Sequence, residues 1–487
     1  MTELKDILYN SGITEVHGTL ELNVVKIEFD SRNVSAGTVF VAIKGVAVDG
    51  HDYISQAIEN GAIAIVCDVM PEEIITTLTY IRVKESAFAL GIMAANFYDN
   101  PSLDIKLIGI TGTNGKTTCV TLLHKLFEDL GYKTGLLSTV VNKIGDKEIP
   151  STHTTPNPMD LNRLLREMIN VGCEFCFMEV SSHALHQHRV AGLKFDVGGF
   201  TNISHDHLDY HKTFKEYIYV KKAFFDGLGS TATAIVNVDD TNGLVMTQNT
   251  PAKVKTFALK NVADFKVKII ESSFSGLVLN IDNQEVWTRL IGGFNAYNLI
   301  LVYAISVELG LESLEVLTGI SNLKSVEGRF EYLKSEKSVI AIVDYAHTPD
   351  ALENVLNTIS SVRTKNEKVI TVIGCGGDRD KTKRPKMAQI AAEQSDKTIL
   401  TSDNPRNEHP EDIISDMKAG VPVERSARVM AITDRKEAIK VACSLAEAGD
   451  IVLVAGKGHE KYQEINGERF PFDDLEIVKE TLKNLNK

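Results

Sequence analysis

No stretch of this 487-residue chain approaches the run of about eighteen apolar residues that a membrane-spanning helix requires. The opening Met1-Thr2-Glu3-Leu4-Lys5-Asp6 also lacks the basic-then-apolar order of a secretory signal. The expectation is a cytoplasmic enzyme with no membrane partner. Positive charge is in deficit: 52 Lys and Arg against 65 Asp and Glu leave a formal net charge of −13. A nucleic-acid partner is therefore not expected, because its binders normally present a basic face. An anionic small ligand stays compatible wherever local Arg, Lys or helix N-termini overcome the overall field. Cysteines are few and scattered, at 67, 119, 173, 176, 375 and 443. Cys173 and Cys176 form one C-x-x-C with no second half. They flank apolar Phe175 and Phe177, so they read as packing residues of a buried strand rather than zinc ligands. Repeats and low-complexity tracts are missing too.

At this length one hydrophobic core does not suffice, and about three domains are expected. Short strand-like runs (Val24 to Phe29, Thr38 to Ile43, Ala62 to Val66) and a helical segment from Ser86 to Tyr98 precede the turn Asp99-Asn100-Pro101-Ser102. From Asp104 onward apolar strands alternate with helical patterns, which implies βαβ units and a largely parallel sheet. The pattern breaks around Ser325-Val326-Glu327-Gly328-Arg329 and resumes near Val339. Boundaries near 102 and 331 predict units of 1–102, 103–331 and 332–487 in an α/β chain.

The richest stretch is Thr111-Gly112-Thr113-Asn114-Gly115-Lys116-Thr117-Thr118, between the apolar run Leu107 to Ile110 and an apolar helix stripe at Cys119, Leu122, Leu123, Leu126, Phe127 and Leu130. A strand, glycine loop, lysine, hydroxyl and helix in that order suit a nucleoside triphosphate. Glycines let backbone N–H groups approach phosphates, Lys116 supplies charge, Thr117 offers an oxygen to Mg²⁺, and the helix N-terminus favours an anion. The generic pattern wants a glycine where Ile110 stands.

Six polar clusters follow apolar strands directly: Glu179 to His183, Ser204 to His207, Asp344 to His347, Gly374 to Asp380, Asp403 to Arg406, and Gly456 to Glu460. Ligands of open parallel sheets sit at strand carboxyl ends, so six such coincidences predict one large active site spanning several domains. Ser204-His205-Asp206-His207-Leu208-Asp209-Tyr210-His211 allows a two-metal hydrolase, a Mg²⁺ site served by one imidazole, or a polar loop capping a helix; Mg²⁺ with ATP is the economical choice. Glu179 is a candidate Mg²⁺ ligand or water anchor. Tyr217 and Lys221 share a helix face, and Lys221 could serve a cation only as a carbamate. Arg379, Arg384 and Arg406, in loops at strand ends, suit bidentate carboxylate recognition.

Together with Asp30-Ser31-Arg32, Thr152-His153-Thr154-Thr155-Pro156, Gly328-Arg329-Phe330-Glu331 and Asp344-Tyr345-Ala346-His347-Thr348-Pro349-Asp350, these motifs resemble the Mur ligase family from end to end. These are the ATP-dependent acid–amino-acid ligases of bacterial peptidoglycan synthesis. The family's phosphate loop also lacks the first generic glycine. The resemblance implies a central ATP-binding domain like a P-loop NTPase, a small N-terminal domain for the UDP-sugar and a Rossmann-like C-terminal domain for the amino acid. It is nearest to members that add meso-2,6-diaminopimelate to UDP-N-acetylmuramoyl-L-alanyl-D-glutamate. The lysine-adding ligase and folylpolyglutamate synthetase are the alternatives, and outside the class a switch or transport ATPase. Ser31 and Val46-Ala47-Val48 are implied at the UDP end. His153, Thr154, Thr155, Ser181, Gln187 and Arg189 follow along the muramoyl-peptide path. ATP falls to residues 112–118, with Asn295, Asn298, Arg329 and Asp344 implied at ATP or the interdomain hinge. Mg²⁺ falls to Thr117, Glu179, His207 and a carbamylated Lys221, with Lys222 as the alternative lysine. Arg379, Asp403, Asn404, Pro405, Arg406, Gly456 and Glu460 are implied around diaminopimelate, Arg406 facing its far carboxylate. A monomer is expected.

Overall fold

In a computed structural model, which describes residues 2–45, 48–204, 206, 208–364 and 366–487, three large sheets follow one another along the chain, beside two two-stranded ones. The first has five strands, in the order Ile13–His17, Thr79–Val83, Ala62–Cys67, Thr38–Val41 and Lys26–Glu28; only the first pairing is antiparallel. The helix Ser86–Phe97 covers it through Ala89, Leu90 and Met93. The chain then turns at Asp99 and Asn100, both at positive φ, and enters the second unit at Pro101.

The central sheet has eleven strands, and its parallel core places Lys106–Thr111 between Phe175–Glu179 and Val197–Phe200. Parallel strands covered on both faces lack polar side chains, as in Phe175 to Met178 and Val197–Phe200. Two large apolar clusters sandwich it: the phosphate-loop helix Lys116–Asp129 and Gly293–Glu308 pack on one face, and Pro158–Asn170 and Phe214–Asp226 on the other. The expected run of βα units ends earlier than 325. Phe265–Ser273, Gly276–Ile281 and Gln284–Thr288 extend the sheet as an antiparallel meander, whose alternating burial marks a sheet covered on one face.

The third sheet has the order Glu331–Lys334, Ile340–Asp344, Ile451–Ala455, Val369–Cys375, Lys397–Ser402 and Val429–Ala431, parallel except at its first pairing. Glu331 therefore opens a strand of this sheet. All six cysteines are buried with free thiols, and Cys176 lies in a core strand, which fits the packing role. No helix of the described residues is long and apolar enough to cross a membrane.

Candidate active site

The phosphate loop needs its two glycines for geometric reasons. Gly112 (φ 147°) and Gly115 (φ 89°) lie at positive φ. An added Cβ would strike Thr201 Oγ1 at the first and Asn298 Oδ1 at the second. The neighbouring strand end braces the loop: Thr113 N donates to Asn202 O (2.8 Å), Asn114 N to Asn202 Oδ1 (3.1 Å), and Thr201 Oγ1 to Asn114 O (2.6 Å). Lys116 Nζ and Lys221 Nζ both donate to the same carbonyl oxygen, Gly112 O, each at 2.9 Å. Burial lowers the Lys116 pKa, and burial followed by the charge of Lys116 holds Lys221 well below the usual lysine value. Neither makes an ion pair among the described residues. Two amines crowded on one carbonyl form a pocket biased towards an anion. Lys222 turns away and pairs with Asp226 at 2.6 Å.

Glu179 ends its strand buried, its Oε1 accepting from Thr139 N (2.7 Å) while its main-chain oxygen accepts from Thr155 Oγ1 (2.7 Å). Thr139 in turn meets Thr154 through their hydroxyls at 3.0 Å, and Thr155 Oγ1 accepts from Ser181 N at 3.1 Å. Arg189 donates to Thr155 O (2.8 Å) and to Gln187 Oε1 (2.7 Å), and burial lowers its pKa. Thr117, Glu179 and Asp206 offer hard oxygen donors to one space, which suits Mg²⁺, a cation that keeps water and phosphate oxygens in much of its shell. No three His, Cys, Asp or Glu side chains gather as a metal cage among the described residues. The fit is to a cation shared with phosphate.

The third sheet closes the space from above. Arg329 Nη2 reaches Thr117 Oγ1 at 3.1 Å, and its guanidinium lies over the Tyr345 ring at 4.5 Å. Asp344 accepts from Phe330 N at 2.6 Å, and burial pushes its carboxyl up to about 6. Asp350, at the start of the helix Pro349–Val362, accepts from Asn114 Nδ2 (2.7 Å) and Ser204 Oγ (3.0 Å), joining this sheet to the phosphate loop. Lys457, fully buried, donates to Asn404 Oδ1 (2.7 Å) and lies 3.4 Å from Glu460 Oε2 and 3.7 Å from Asp403 Oδ1. Asn404 Nδ2 donates to Glu460 Oε2 at 2.7 Å. Burial and the neighbouring Asp403 raise the Glu460 pKa; burial opposes ionisation of Asp403, but Lys457 and Arg435 outweigh it and lower that pKa.

A single cavity of about 580 Å³ joins these parts, and each of the six strand-end clusters contributes to its wall. Of the residues anticipated from sequence, it is lined by 113–118, His153, Thr154, Thr155, Glu179, Ser181, Arg189, Lys221, Arg329, Arg379, Asp403, Asn404, Arg406, Gly456 and Glu460. Others stand behind the wall. Gly112 and Pro405 shape their loops through backbone, Gln187 orients Arg189, and Asp344 holds the Phe330 amide. Asn295 accepts from Asn298 Nδ2 at 3.0 Å, and Asn298 in turn sits against Gly115. Ser31, bonded to Gln56 Oε1 at 2.8 Å, and exposed Val48 belong to the first sheet's surroundings, away from this cavity. Val46, Ala47 and His207 lie outside the described residues.

One arginine is corrected. Arg384 sits inside the helix Lys383–Gln394, fully buried and paired with Glu408 and Asp416 at 2.8 Å each, so it braces the fold and reads no ligand. Sequence reasoning missed Lys457 and Asp350 as site builders. Both stood within motifs already singled out, but neither advertises in sequence which way its side chain turns.

The chain matches three family models: "Mur ligase family, catalytic domain" over residues 23–98, "Mur ligase middle domain" over 110–306, and "Mur ligase, glutamate ligase domain" over 328–458. It is 55% identical over 486 residues to a Cytophaga hutchinsonii protein named UDP-N-acetylmuramoyl-L-alanyl-D-glutamate–2,6-diaminopimelate ligase, covering 100% of both chains. A Phocaeicola vulgatus protein of the same name is 53% identical, covering 99% of this chain and 100% of that one. A solved structure titled as that ligase superposes with a TM-score of 0.70 at 31% identity, covering 100% of this chain and 99% of the other.

Proposed function

The chain belongs to the Mur ligase family of ATP-dependent ligases, and we propose that it joins meso-2,6-diaminopimelate to the D-glutamyl carboxylate of UDP-N-acetylmuramoyl-L-alanyl-D-glutamate. The observation that carries this reading is the shared cavity. A phosphate loop whose lysine makes no ion pair among the described residues, a hydroxyl-lined path and an arginine-bearing loop open into the same space. Residues 1–102 hold the UDP end, 103–330 the triphosphate and 331–487, from the strand that Glu331 opens, the incoming amino acid. The protein acts as a cytoplasmic monomer.

Amide formation from a carboxylate and an amine is uphill in water and needs activation. The γ-phosphate passes to the D-glutamyl carboxylate, giving an acyl phosphate and ADP; the amine then attacks the carbonyl carbon and phosphate leaves. The difficulty is bringing two anions together, and Lys116 with the loop N–H groups offsets that repulsion. When bound, Mg²⁺ would be held by Thr117, Glu179, His207 and a carbamate on Lys221, and would supply neutralisation of phosphate charge. The depressed Lys221 pKa supports that modification, since a neutral amine is what attacks CO₂ and then sheds a proton. Arg406 pairs with the second carboxylate of diaminopimelate, whereas lysine would set an ammonium beside it. Half-buried Arg406 would then face a like charge in place of a carboxylate, which favours diaminopimelate over lysine. The test is phosphate release with meso-diaminopimelate, L-lysine and L-ornithine, each with and without the muramoyl dipeptide. Turnover should require both acceptor and amino acid and favour diaminopimelate; full ATP hydrolysis with neither present refutes the proposal.

A further inference from the structure

The loop that carries Arg406 does not hold its own shape. Arg406 sits at φ 51°, in the left-handed region that a long side chain rarely occupies. What fixes it there is a hairpin 56 residues and more further along the chain. Tyr462–Ile465 pairs antiparallel with Glu468–Pro471 through a tight turn at Asn466 (φ 49°) and Gly467 (φ 80°), the two successive positive-φ residues of a type I′ turn. Arg406 N donates to Glu464 O at 3.0 Å, and Asn466 N donates to Arg406 O at 2.8 Å, so the arginine is bridged into the hairpin by both of its main-chain groups. The same hairpin grips the preceding loop residues: Gln463 Nε2 donates to Asp403 O at 2.7 Å, and Glu464 N to Asn404 Oδ1 at 3.0 Å. Arg406 then reaches back to Gly377 O through Nη1 at 2.7 Å. No residue from 462 to 471 lines the cavity, so whatever the hairpin contributes acts through the loop.

We propose that the 462–471 hairpin is the specificity-setting brace of this site, with Gln463 and the Asn466-Gly467 turn as positioning residues that aim Arg406 at the distal carboxylate of a diamino dicarboxylic acid. This rests on the reading of Arg406 given above. Main-chain bonding suits the task, because it fixes the direction of the arginine from outside the cavity, while the hairpin's Glu464 Oε2 lies 4.0 Å from Arg406 Nε. Gly467 is the natural lever. It is exposed, an added Cβ meets nothing within 4 Å, and its φ alone resists a branched residue.

The experiment compares Gly467→Val, Gly467→Asn, Gln463→Leu and Arg406→Ala in the full-length enzyme. It measures KM for diaminopimelate and ATP and the ratio of kcat/KM for diaminopimelate over L-lysine. Gly467→Val is expected to raise KM for diaminopimelate about tenfold and to lower the ratio towards that of Arg406→Ala, with KM for ATP within about twofold of wild type. Gly467→Asn, which tolerates positive φ, should keep the wild-type ratio. If Gly467→Val is recovered unfolded, Gln463→Leu carries the same expectation with a smaller change. Should Arg406→Ala lower the ratio while both hairpin variants leave it unchanged, the brace is refuted and the Arg406 reading stands. A ratio unmoved by Arg406→Ala itself overturns the reading of Arg406, and the brace with it. A uniform fall in kcat with an unchanged ratio in the hairpin variants assigns them a merely structural role and also overturns the brace.

Discussion

The two ends of the cavity handle charge in opposite ways. At the phosphate end, half-buried Lys116 and buried Lys221 share one carbonyl oxygen, with no ion pair among the described residues. At the amino-acid end nearly every charge is already matched: Lys457 with Glu460 and Asp403, Arg435 with Asp474 at 2.7 Å, and Arg384 with Glu408 and Asp416. The first end holds Glu179 and Asp206 in the same space, but neither lysine is locked to a carboxylate there among the described residues. The second is largely matched; among the described residues Arg379, Lys383, Lys386 and Arg406 face the space there, and Arg406 Nε lies 4.0 Å from Glu464 Oε2. Binding at one end therefore relieves electrostatic stress, while binding at the other selects among ligands against a fixed background.

The largest expected effect falls on the unpaired end. Lys221→Ala should lower amide formation by about 10³-fold, the scale of losing a preorganised electrostatic group at a reacting centre. A short carboxylic acid supplied in solution should recover part of that loss by replacing the carbamate oxygens. Steady-state turnover with and without the added acid decides it. Unchanged activity in both conditions would mean that this end does not depend on a modified lysine.

At the matched end the expected damage is first to stability. Lys457→Met removes a buried cation and leaves Asp403 and Glu460 facing each other without it; breaking a buried pair in this way costs about 3–5 kcal/mol. The thermal midpoint should fall by several degrees, and KM for the amino acid should rise while KM for ATP holds. A variant as stable as wild type would show that the network is not structural, and the contrast between the two ends would lose its meaning.

That contrast also explains what could be read in the chain beforehand. The phosphate end is written in consecutive residues, since the loop, its lysine and its helix are local, and Gly112 and Gly115 carry their own backbone reason. Arg384 misled because its direction is set by Glu408 and Asp416, 24 and 32 residues away. Lys457 and Asp350 were passed over for the same cause: burial and an opposing partner, invisible in a linear string, decide which way a side chain turns. The strand ends were legible because apolar runs of a parallel sheet stop abruptly. The meander from Phe265 to Thr288 was not, because its alternating pattern was absorbed into an expected series of βα units.

The smallest expected effect lies where the ends meet, at Asp344. Its buried carboxyl titrates at about 6, above the value of about 4 for an unfolded aspartate. Below pH 4 both states are protonated, and the native state keeps its full advantage. As pH rises from about 4 to about 6, the unfolded chain ionises first, so stability contributed by this group is lost across that window and stays lost above it. Asp344→Asn carries no such titration. The unfolding free energy of the variant minus that of wild type should therefore climb between pH 4 and 6, by an amount on the order of 1–3 kcal/mol, and then level off. Differential melting from pH 4 to 8 reads this directly. A flat difference would mean that Arg329 and the Phe330 amide already keep the carboxylate ionised, which would place the junction with the matched end of the cavity.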